Sequence, residues 1–299
     1  MTPMCNICGA TAGFINPERG KEGFHCTNCS ATSRNRLVMY ILGRVLGFGD
    51  EPVFRWPRQP AVRILEPCPR GPQVAFLKEK FDYIMPEFDA EKIQSGADPR
   101  RYSDIQNLAF PDEFFDIVIA SDVFEHVRND VQGFREIYRT LKPYPDTGGG
   151  SGFFILTVPY DHQREQTHHR VQVEGERDIL VAEARYAGGG GVTLDYREYG
   201  RDVLSVLREV GFAVAYLEQE IPAYQIYKSA VILCAKSAYV PLNLFLDNPT
   251  QAPDRSAAGP IQSMKWTGPL IPNRLFLWYK FNLSQLRYFW HQARLKFFG

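Results

Sequence analysis

The chain has 299 residues, enough for about two domains that each bury a core. Apolar residues make up 44% of it and charged residues 23%, which excludes a disulfide-stapled miniprotein, a collagen and a disordered chain. Lys plus Arg and Asp plus Glu each number 34, which excludes the overall basic charge of a dedicated nucleic-acid-binding protein.

The N-terminal segment MTPMCNICGA lacks the basic and then apolar pattern of a secretory signal. No uninterrupted apolar stretch reaches the length of about 18 residues that a membrane-spanning helix needs. We therefore expect a cytoplasmic protein. Thiols stay reduced in that compartment, so clustered cysteines are expected to bind a metal ion rather than to form disulfides.

Four cysteines near the N-terminus form two CxxC pairs, Cys5 with Cys8 and Cys26 with Cys29. Each pair presents two thiolates from a tight turn, and two such turns complete a tetrahedral zinc site. A site closed by four thiolates has no open position for a substrate. We therefore expect a structural Zn²⁺ that stabilises a segment too small to fold by apolar burial alone. A redox-active CxxC pair is the alternative.

The residues after the second cysteine pair predict a helix and then a linker. The run SRNRLVMYILGRVL has helical spacing, with Ser33 as its N-cap, and the residues that follow it are rich in Gly and Pro. The predicted organisation is a zinc ribbon with its exit helix at 1–45, a linker at 46–60, an α/β domain at 61–240 and a basic aromatic tail at 241–299.

The hydrophobic pattern beyond residue 60 alternates between short strands and helices, which indicates an α/β domain with a mostly parallel sheet. The predicted strands are Ala61–Leu65, Phe81–Met85, Phe115–Ala120, Phe153–Val158, Phe212–Glu218 and Ala230–Ala235. The predicted helices are Val74–Lys80, Val131–Leu141 and Arg201–Val210. The last two strands are joined by a turn through Pro222 and Tyr224, which is too short for a helical crossover, so the last strand is predicted to be antiparallel.

The stretch DIQNLAFPDEFFDIVIASDVFEHV, followed by FREIYRTLKP, resembles the class I methyltransferases that use S-adenosylmethionine. The resemblance covers residues 61–237 and implies a Rossmann-like sheet of seven strands, mostly parallel, with the last strand antiparallel. It also implies a cofactor site at the carboxyl ends of the strands, where this kind of sheet binds its ligands. The implied cofactor residues are Glu66, Pro67, Cys68, Arg70, Gly71, Glu87, Phe88, Asp89, Asp104, Ile105 and Ser121.

The resemblance implies separate roles for these cofactor residues. Glu66 and the turn at 67–71 would bind the methionine part of the cofactor. Glu87, with Asp89 as a competitor, would hold the ribose hydroxyls, because a carboxylate accepts two hydroxyl hydrogen bonds. Asp104 would contact the adenine amine. The turn departs from the family, which usually has a GxGxG pattern, because this chain has a single glycine there and two prolines that remove amide donors.

Transfer of a methyl group from a sulfonium depends on alignment more than on acid or base, although a hydroxyl acceptor benefits from a base. The segment VPYDHQREQTHHR, with Tyr160 and Asp161, supplies the catalytic candidates His162, His168 and His169. A solvated loop or a second metal site is the alternative. His126, in FEHV, is the fourth catalytic candidate, although its position is more typical of a pocket wall. The glycine run at 188–191 would let this segment move as a lid.

Residues 261–299 contain Lys and Arg but no Asp or Glu. On a helical projection most of their apolar and aromatic side chains share one arc with basic residues along its edge, which suits a helix on a membrane surface. Phe281, Tyr288 and Leu295 fall off that arc, which favours packing on the protein's own core or on a second subunit in a homo-oligomer. Stacking on single-stranded RNA is another alternative.

We expect from these features an enzyme that methylates a small-molecule or saccharide acceptor on oxygen or nitrogen. One alternative is an RNA methyltransferase, for which a modest basic patch near the cysteines would bind phosphate. The basic residues of that patch are Arg19, Lys21, Arg34, Arg36 and Arg44. Another alternative is a non-catalytic scaffold whose altered turn no longer admits the cofactor.

Overall fold

The structure is a computed structural model, and it describes residues 2–11, 13–15, 24–144, 151–187 and 193–240. Its strands in chain order are β1 (Phe14–Ile15), β2 (His25–Cys26), β3 (Gln59–Leu65), β4 (Phe81–Ile84), β5 (Ile117–Ser121), β6 (Phe153–Thr157), β7 (His168–His169), β8 (Val171–Glu174), β9 (Arg177–Leu180), β10 (Tyr186–Ala187), β11 (Thr193–Leu194), β12 (Arg197–Glu198), β13 (Ala213–Ile221) and β14 (Ile226–Ala235). Its helices are α1 (Ser33–Val45), α2 (Gln73–Lys80), α3 (Ala90–Gln94), α4 (Asp130–Thr140) and α5 (Asp202–Val210). The predicted tail and the glycine run at 188–191 lie outside these ranges.

The main sheet has the strand order β13-β14-β6-β5-β3-β4. Strands β4, β3, β5 and β6 are parallel, and β14 is antiparallel to both of its neighbours, β6 and β13. Each predicted strand overlaps one of these six, and the turn before β14 is the short 3₁₀ helix Pro222–Tyr224. The predicted α/β class and the antiparallel last strand are confirmed.

The main sheet has six strands in the described part of the chain, one fewer than the predicted count of seven. Strand β4 forms one edge of the main sheet. Next to this edge, in the described part of the chain, Glu87 and Tyr102 form an isolated parallel bridge and no further strand. The residues between them are polar and include Pro99 and Gly96, so they form the short helix α3 and turns instead of an edge strand.

Two hydrophobic layers cover the sheet because successive side chains of a strand point to opposite faces. Ile117 and Ile119 face a core that also contains α1 and the four-cysteine segment, whereas Val118 and Ala120 face a core shared with α4 and α5. The predicted zinc ribbon and its exit helix therefore share one core with the sheet.

Residues 46–60, predicted as a linker, pack into that first core, where Val53 and Trp56 are buried. The domain boundaries stay a prediction.

The predicted N-cap of α1 is wrong by one residue: Thr32 is the N-cap, with its side chain accepting a hydrogen bond from the Asn35 amide. The Ser33 hydroxyl instead accepts a hydrogen bond from the backbone of Tyr227. Among the described helices, none is long and apolar enough to cross a bilayer.

Candidate active site

The turn after β3 begins with a buried carboxyl and continues through a strained cysteine. Glu66 is buried and accepts a hydrogen bond from the Tyr83 hydroxyl, and burial raises the pKa of its carboxyl to about 7. Cys68 has a φ of +48° in the left-handed region that favours glycine. Pro67 is buried, whereas Cys68 and Arg70 are exposed. The turn thus adopts a glycine-type backbone although no glycine stands at position 68.

Two carboxylates follow β4, and the structure distinguishes them. The Asp89 side chain accepts a hydrogen bond from the Lys92 amide at 3.1 Å and so caps α3. The Glu87 carboxylate is exposed and has no side-chain partner among the described residues, and Phe88 beside it is 54% exposed. Glu87 is therefore the carboxylate available to a ligand.

Backbone hydrogen bonds bring these strand ends together. The Cys68 amide donates to the Pro86 carbonyl at 3.2 Å, and the Ser103 amide donates to the Glu87 carbonyl at 3.1 Å. Asp104 therefore follows directly after a residue that is bonded to Glu87. Its carboxylate accepts hydrogen bonds from the Gln106 backbone amide at 2.8 Å and side-chain amide at 3.0 Å.

The remaining two cofactor candidates lie deeper than the exposed carboxylate. Ile105 is buried in the second core, so its side chain packs against the protein. Ser121 is half-buried at the end of β5, opposite Thr157 of β6. Because the Ile105 side chain is buried, its backbone is the part that remains for contact with a ligand.

These strand ends fit the cofactor that the family resemblance implies. Cys68, Arg70 and Gly71 of the turn are exposed. Glu87 offers a carboxylate without a side-chain partner in the described part of the chain, and Phe88 offers an exposed ring. Hydroxyl groups and an adenosyl ring require groups of these kinds. Cys68 takes a positive φ in this turn, and the backbone strain arises because cysteine has a Cβ atom that glycine lacks.

A second group of ionisable side chains follows β5. The Nδ1 atom of His126 lies 3.1 Å from the Leu194 carbonyl and 3.2 Å from a carboxylate oxygen of Asp195. Asp195 is buried and also contacts Arg185 at 3.1 Å. Burial lowers the pKa of His126, so the imidazole is neutral near pH 7 and can accept a proton at Nε2 while Nδ1 donates. The Nδ1 atom is thus hydrogen-bonded to the Leu194 carbonyl, whereas the Asp195 Oδ1 atom lies at ion-pair distance and has no hydrogen-bond partner among the described residues.

Glu125 lies next to this pair and is itself buried. Burial raises the pKa of its carboxyl to about 7, and the nearby Asp195 charge adds to the shift. Its Oε2 atom has no hydrogen-bond partner among the residues that the structure describes. Most buried polar groups have such a partner, so this atom is free to bond to a water molecule or a ligand.

The other three catalytic candidates lie at the surface. His168 and His169 are exposed in β7, opposite Glu198 and Arg197 of β12, and His162 is exposed as well. Sequence reasoning grouped these histidines because they are close along the chain, whereas the structure pairs only His126 with a buried carboxylate among the four candidates. Asp195 was missed, because a lone aspartate so distant in sequence carries no local signal.

The remaining members of the predicted catalytic group have structural contacts. The Tyr160 ring lies 4.9 Å from the Tyr216 ring, and the Asp161 carboxylate accepts a hydrogen bond from the Gln163 amide at 2.9 Å. Within the described ranges, the only cluster that could hold a metal ion is the four-cysteine group, so these loops provide no second metal site there.

The four cysteine sulfurs all lie within 4.8 Å of one another. The Cys5 and Cys29 sulfurs are 3.8 Å apart, as are those of Cys8 and Cys26. A tetrahedral ZnS₄ centre with bonds of about 2.3 Å has edges of about 3.8 Å, so the spacing fits a zinc ion. The Asn28 amide donates to the Cys8 sulfur at 3.4 Å, as expected of a group that supports a thiolate ligand.

The strain at Cys68 gives a stability prediction. We expect Cys68→Gly to raise the free energy of unfolding by about 0.5–1 kcal/mol, because glycine adopts a φ of this sign without steric cost. The measurement is urea denaturation followed by circular dichroism. Cys68→Ala is the control, since it removes the thiol and keeps Cβ. An equal gain in both variants would assign the effect to the thiol and contradict the strain.

Residues 74–144 match the model of a family described as a methyltransferase domain. No curated protein sequence matches the chain. The solved structures that resemble it are remote in sequence and in fold similarity, so they do not identify its substrate.

Three of these solved structures are methyltransferases or their complexes. An S-adenosylmethionine-dependent methyltransferase from Mesorhizobium loti is 14% identical, with a TM-score of 0.40, and the match covers 68% of this chain and 97% of that one. A 1,6-didemethyltoxoflavin-N1-methyltransferase from Burkholderia thailandensis is 15% identical, with a TM-score of 0.36 and coverages of 67% and 78%. A complex of the Trm112 methyltransferase activator and a methyltransferase from Haloferax volcanii matches at 13% identity, with a TM-score of 0.35 and coverages of 62% and 86%.

The family match includes β4, β5, α4 and nearly all of α2. Residues 74–144 therefore resemble a methyltransferase domain, within an α/β sheet whose strand β14 is antiparallel. A four-cysteine segment precedes this part of the chain.

Proposed function

We propose that this chain is an S-adenosylmethionine-dependent methyltransferase that acts on an oxygen or nitrogen atom of a small-molecule or saccharide acceptor. The observation that supports the acceptor class is His126, which lies beyond β5 beside the buried Asp195 carboxylate. A hydroxyl or a protonated amine must lose a proton during methylation, and a neutral imidazole beside a buried carboxylate can accept it.

The bound cofactor supplies a methyl group activated by the positive charge of its sulfonium. Glu66 is buried at the start of the turn at 67–71, and Glu87 would accept hydrogen bonds from the ribose hydroxyls. His126 would receive the acceptor's proton at Nε2, while the Leu194 carbonyl keeps the proton on Nδ1 and the nearby Asp195 charge would stabilise the imidazolium that forms. Methyl transfer needs this alignment more than it needs strong acid or base.

We also propose that the four cysteines hold a structural Zn²⁺. The sulfur spacing supports a tetrahedral ion, and a centre of four thiolates leaves no position for a substrate. The ion would stabilise the fold of the segment rather than take part in methyl transfer.

An RNA acceptor is less well supported, because the predicted basic patch is largely internal. Arg36 is fully buried, Arg44 pairs with Asp50 at 2.7 Å, and Arg34 pairs with Asp122. Arg19 and Lys21 lie outside the described residues. Arginines that are buried or paired in this way cannot neutralise phosphates and release counterions.

The assignment of Glu87 gives a direct test of the cofactor site. We expect Glu87→Gln to weaken binding of S-adenosylhomocysteine about ten-fold or more, because the amide accepts the ribose hydroxyls less strongly than the carboxylate does. Equilibrium dialysis with labelled ligand measures the change. Asp89→Asn is the matched control, since asparagine also caps helices, and it should leave the affinity nearly unchanged. A loss confined to Asp89→Asn would reverse the assignment.

The acceptor class is tested with methyl-labelled S-adenosylmethionine. The full chain is incubated in parallel with a low-mass metabolite extract and with total RNA. We expect label in the low-mass fraction, reduced in Glu87→Gln. Label in RNA instead would contradict the proposed acceptor and favour the RNA alternative.

A further inference from the structure

The first turn of α1 contacts several separate parts of the molecule. Its residues 33–36 read SRNR, and each side chain bonds to a different region. Ser33 contacts β14, Arg34 contacts Asp122 after β5, and Asn35 contacts the turn after β3. Two of these regions belong to the cofactor edge of the sheet.

The Asn35 side chain is held in one orientation by the helix cap. Its Oδ1 atom accepts hydrogen bonds from the Thr32 amide and from the Thr32 hydroxyl, both at 3.0 Å. The Nδ2 atom is then left to donate, and it lies 3.3 Å from the Arg70 carbonyl. The cap therefore points an amide donor at the turn that stands where the family usually has its GxGxG pattern.

Gly71 allows this close approach. A Cβ atom at position 71 would lie 3.0 Å from the Asn35 Nδ2 atom and 2.3 Å from the Gln73 Oε1 atom. Gly71 also has a φ of +129°, which other residues rarely adopt. The single glycine of the turn thus stands where α1 packs against it.

The first turn of α1 also contacts the end of a second strand, β5. The Arg34 guanidinium forms an ion pair with Asp122, which follows β5 and has a φ of +50°. The Thr157 hydroxyl at the end of β6 also donates to Asp122, at 3.2 Å. Adjacent residues of α1 therefore contact the ends of β3 and β5, between which the cofactor would lie.

The start of α1 is built on the second cysteine pair. The Cys26 amide donates to the Ala31 carbonyl at 3.0 Å, and Thr32 follows as the helix cap. The Arg36 guanidinium donates to the carbonyls of Ala31 and Phe24 on either side of that pair. The four-cysteine segment is thus connected to the cofactor turn through a few consecutive residues.

We propose that Asn35 is a positioning residue for the cofactor turn, and that the four-cysteine segment forms part of the cofactor site through the first turn of α1. The inference rests on the proposed function of the strand ends. The Asn35 amide fixes the Arg70 carbonyl and so holds the strained turn open, which two prolines and one glycine would not do alone. Arg34 fixes the opposite side through Asp122.

The test compares Asn35→Asp with Thr32→Ala in the full chain. Asn35→Asp keeps an acceptor for the cap but replaces the donor that faces the Arg70 carbonyl. We expect calorimetry to show S-adenosylhomocysteine binding weakened about five- to ten-fold, with unchanged metal content and melting temperature. Thr32→Ala removes the hydroxyl but keeps the residue-32 backbone amide, which still donates to Asn35 Oδ1 and keeps the Nδ2 donor facing the turn. It should therefore lower the melting temperature with a smaller change in affinity than Asn35→Asp causes.

Arg34→Met tests the second contact in the same titration and keeps the inference testable if Asn35→Asp does not fold. We expect it to weaken binding as well, through Asp122. Unchanged affinity in both Asn35→Asp and Arg34→Met, with normal binding by the unmodified chain, would overturn only this inference. Failure of the unmodified chain to bind would overturn the cofactor site itself.

Discussion

We expect Arg36→Met to lower the free energy of unfolding by about 3–5 kcal/mol. The Arg36 side chain is fully buried and donates hydrogen bonds to the carbonyls of Phe24, Ala31, Tyr224 and Gln225. These carbonyls belong to the four-cysteine segment and to the turn before β14, so one guanidinium joins two distant parts of the chain. Methionine fills a similar volume but leaves the buried carbonyls unpaired, and each unpaired group costs about 1–3 kcal/mol.

Urea denaturation followed by circular dichroism measures this loss. Arg58→Met is the matched control, because Arg58 is exposed and bonds only to the Glu79 carbonyl among the described residues. We expect it to change the free energy of unfolding by less than about 0.5 kcal/mol. A loss below about 1 kcal/mol in Arg36→Met would show that the buried guanidinium does not hold the two parts together.

The second large effect is expected from Cys5→Ser. The substitution removes one of four sulfurs that lie within 4.8 Å of one another, and a hydroxyl is a poor ligand for zinc. We expect loss of bound zinc and a fall of more than about 4 kcal/mol in the free energy of unfolding, because metal binding contributes directly to the folding of small structural sites. Elemental analysis and urea denaturation measure the two effects.

Cys68→Ala is the control for Cys5→Ser, since Cys68 lies in the cofactor turn and outside the cluster. It should retain full zinc content. Because the second cysteine pair supports the start of α1, Cys5→Ser should also weaken binding of S-adenosylhomocysteine. Stoichiometric zinc in Cys5→Ser would contradict the assignment of Cys5 as a ligand.

Local sequence signals predict the elements of this fold well. The six strands of the main sheet and the helices α2, α4 and α5 follow from hydrophobic spacing and turn residues, and their bounds differ by a few residues at most. The four cysteines are equally local, because the CxxC spacing itself brings pairs of thiols together. The turn after β3 places Cys68 at a positive φ, which its sequence pattern does not indicate.

Long-range partners could not be predicted from the same signals. Arg36 was interpreted as part of a basic surface, yet it is buried against carbonyls that are far away in sequence. Asp195 lies beside His126 only because the loop after β11 folds back onto the residues after β5. The two carboxylates after β4 were distinguished only by the start of α3, which occupies Asp89. Such contacts depend on packing, which one chain's pattern does not record.

The central claim is that the strand ends after β3 and β4 bind S-adenosylmethionine although the turn between them contains prolines and a left-handed cysteine. Calorimetric titration of S-adenosylhomocysteine into the unmodified full chain tests it most directly. We predict saturable binding with a single-site isotherm. A folded, zinc-loaded chain that gives no binding heat over several temperatures, and no rise in melting temperature with ligand, would contradict the account.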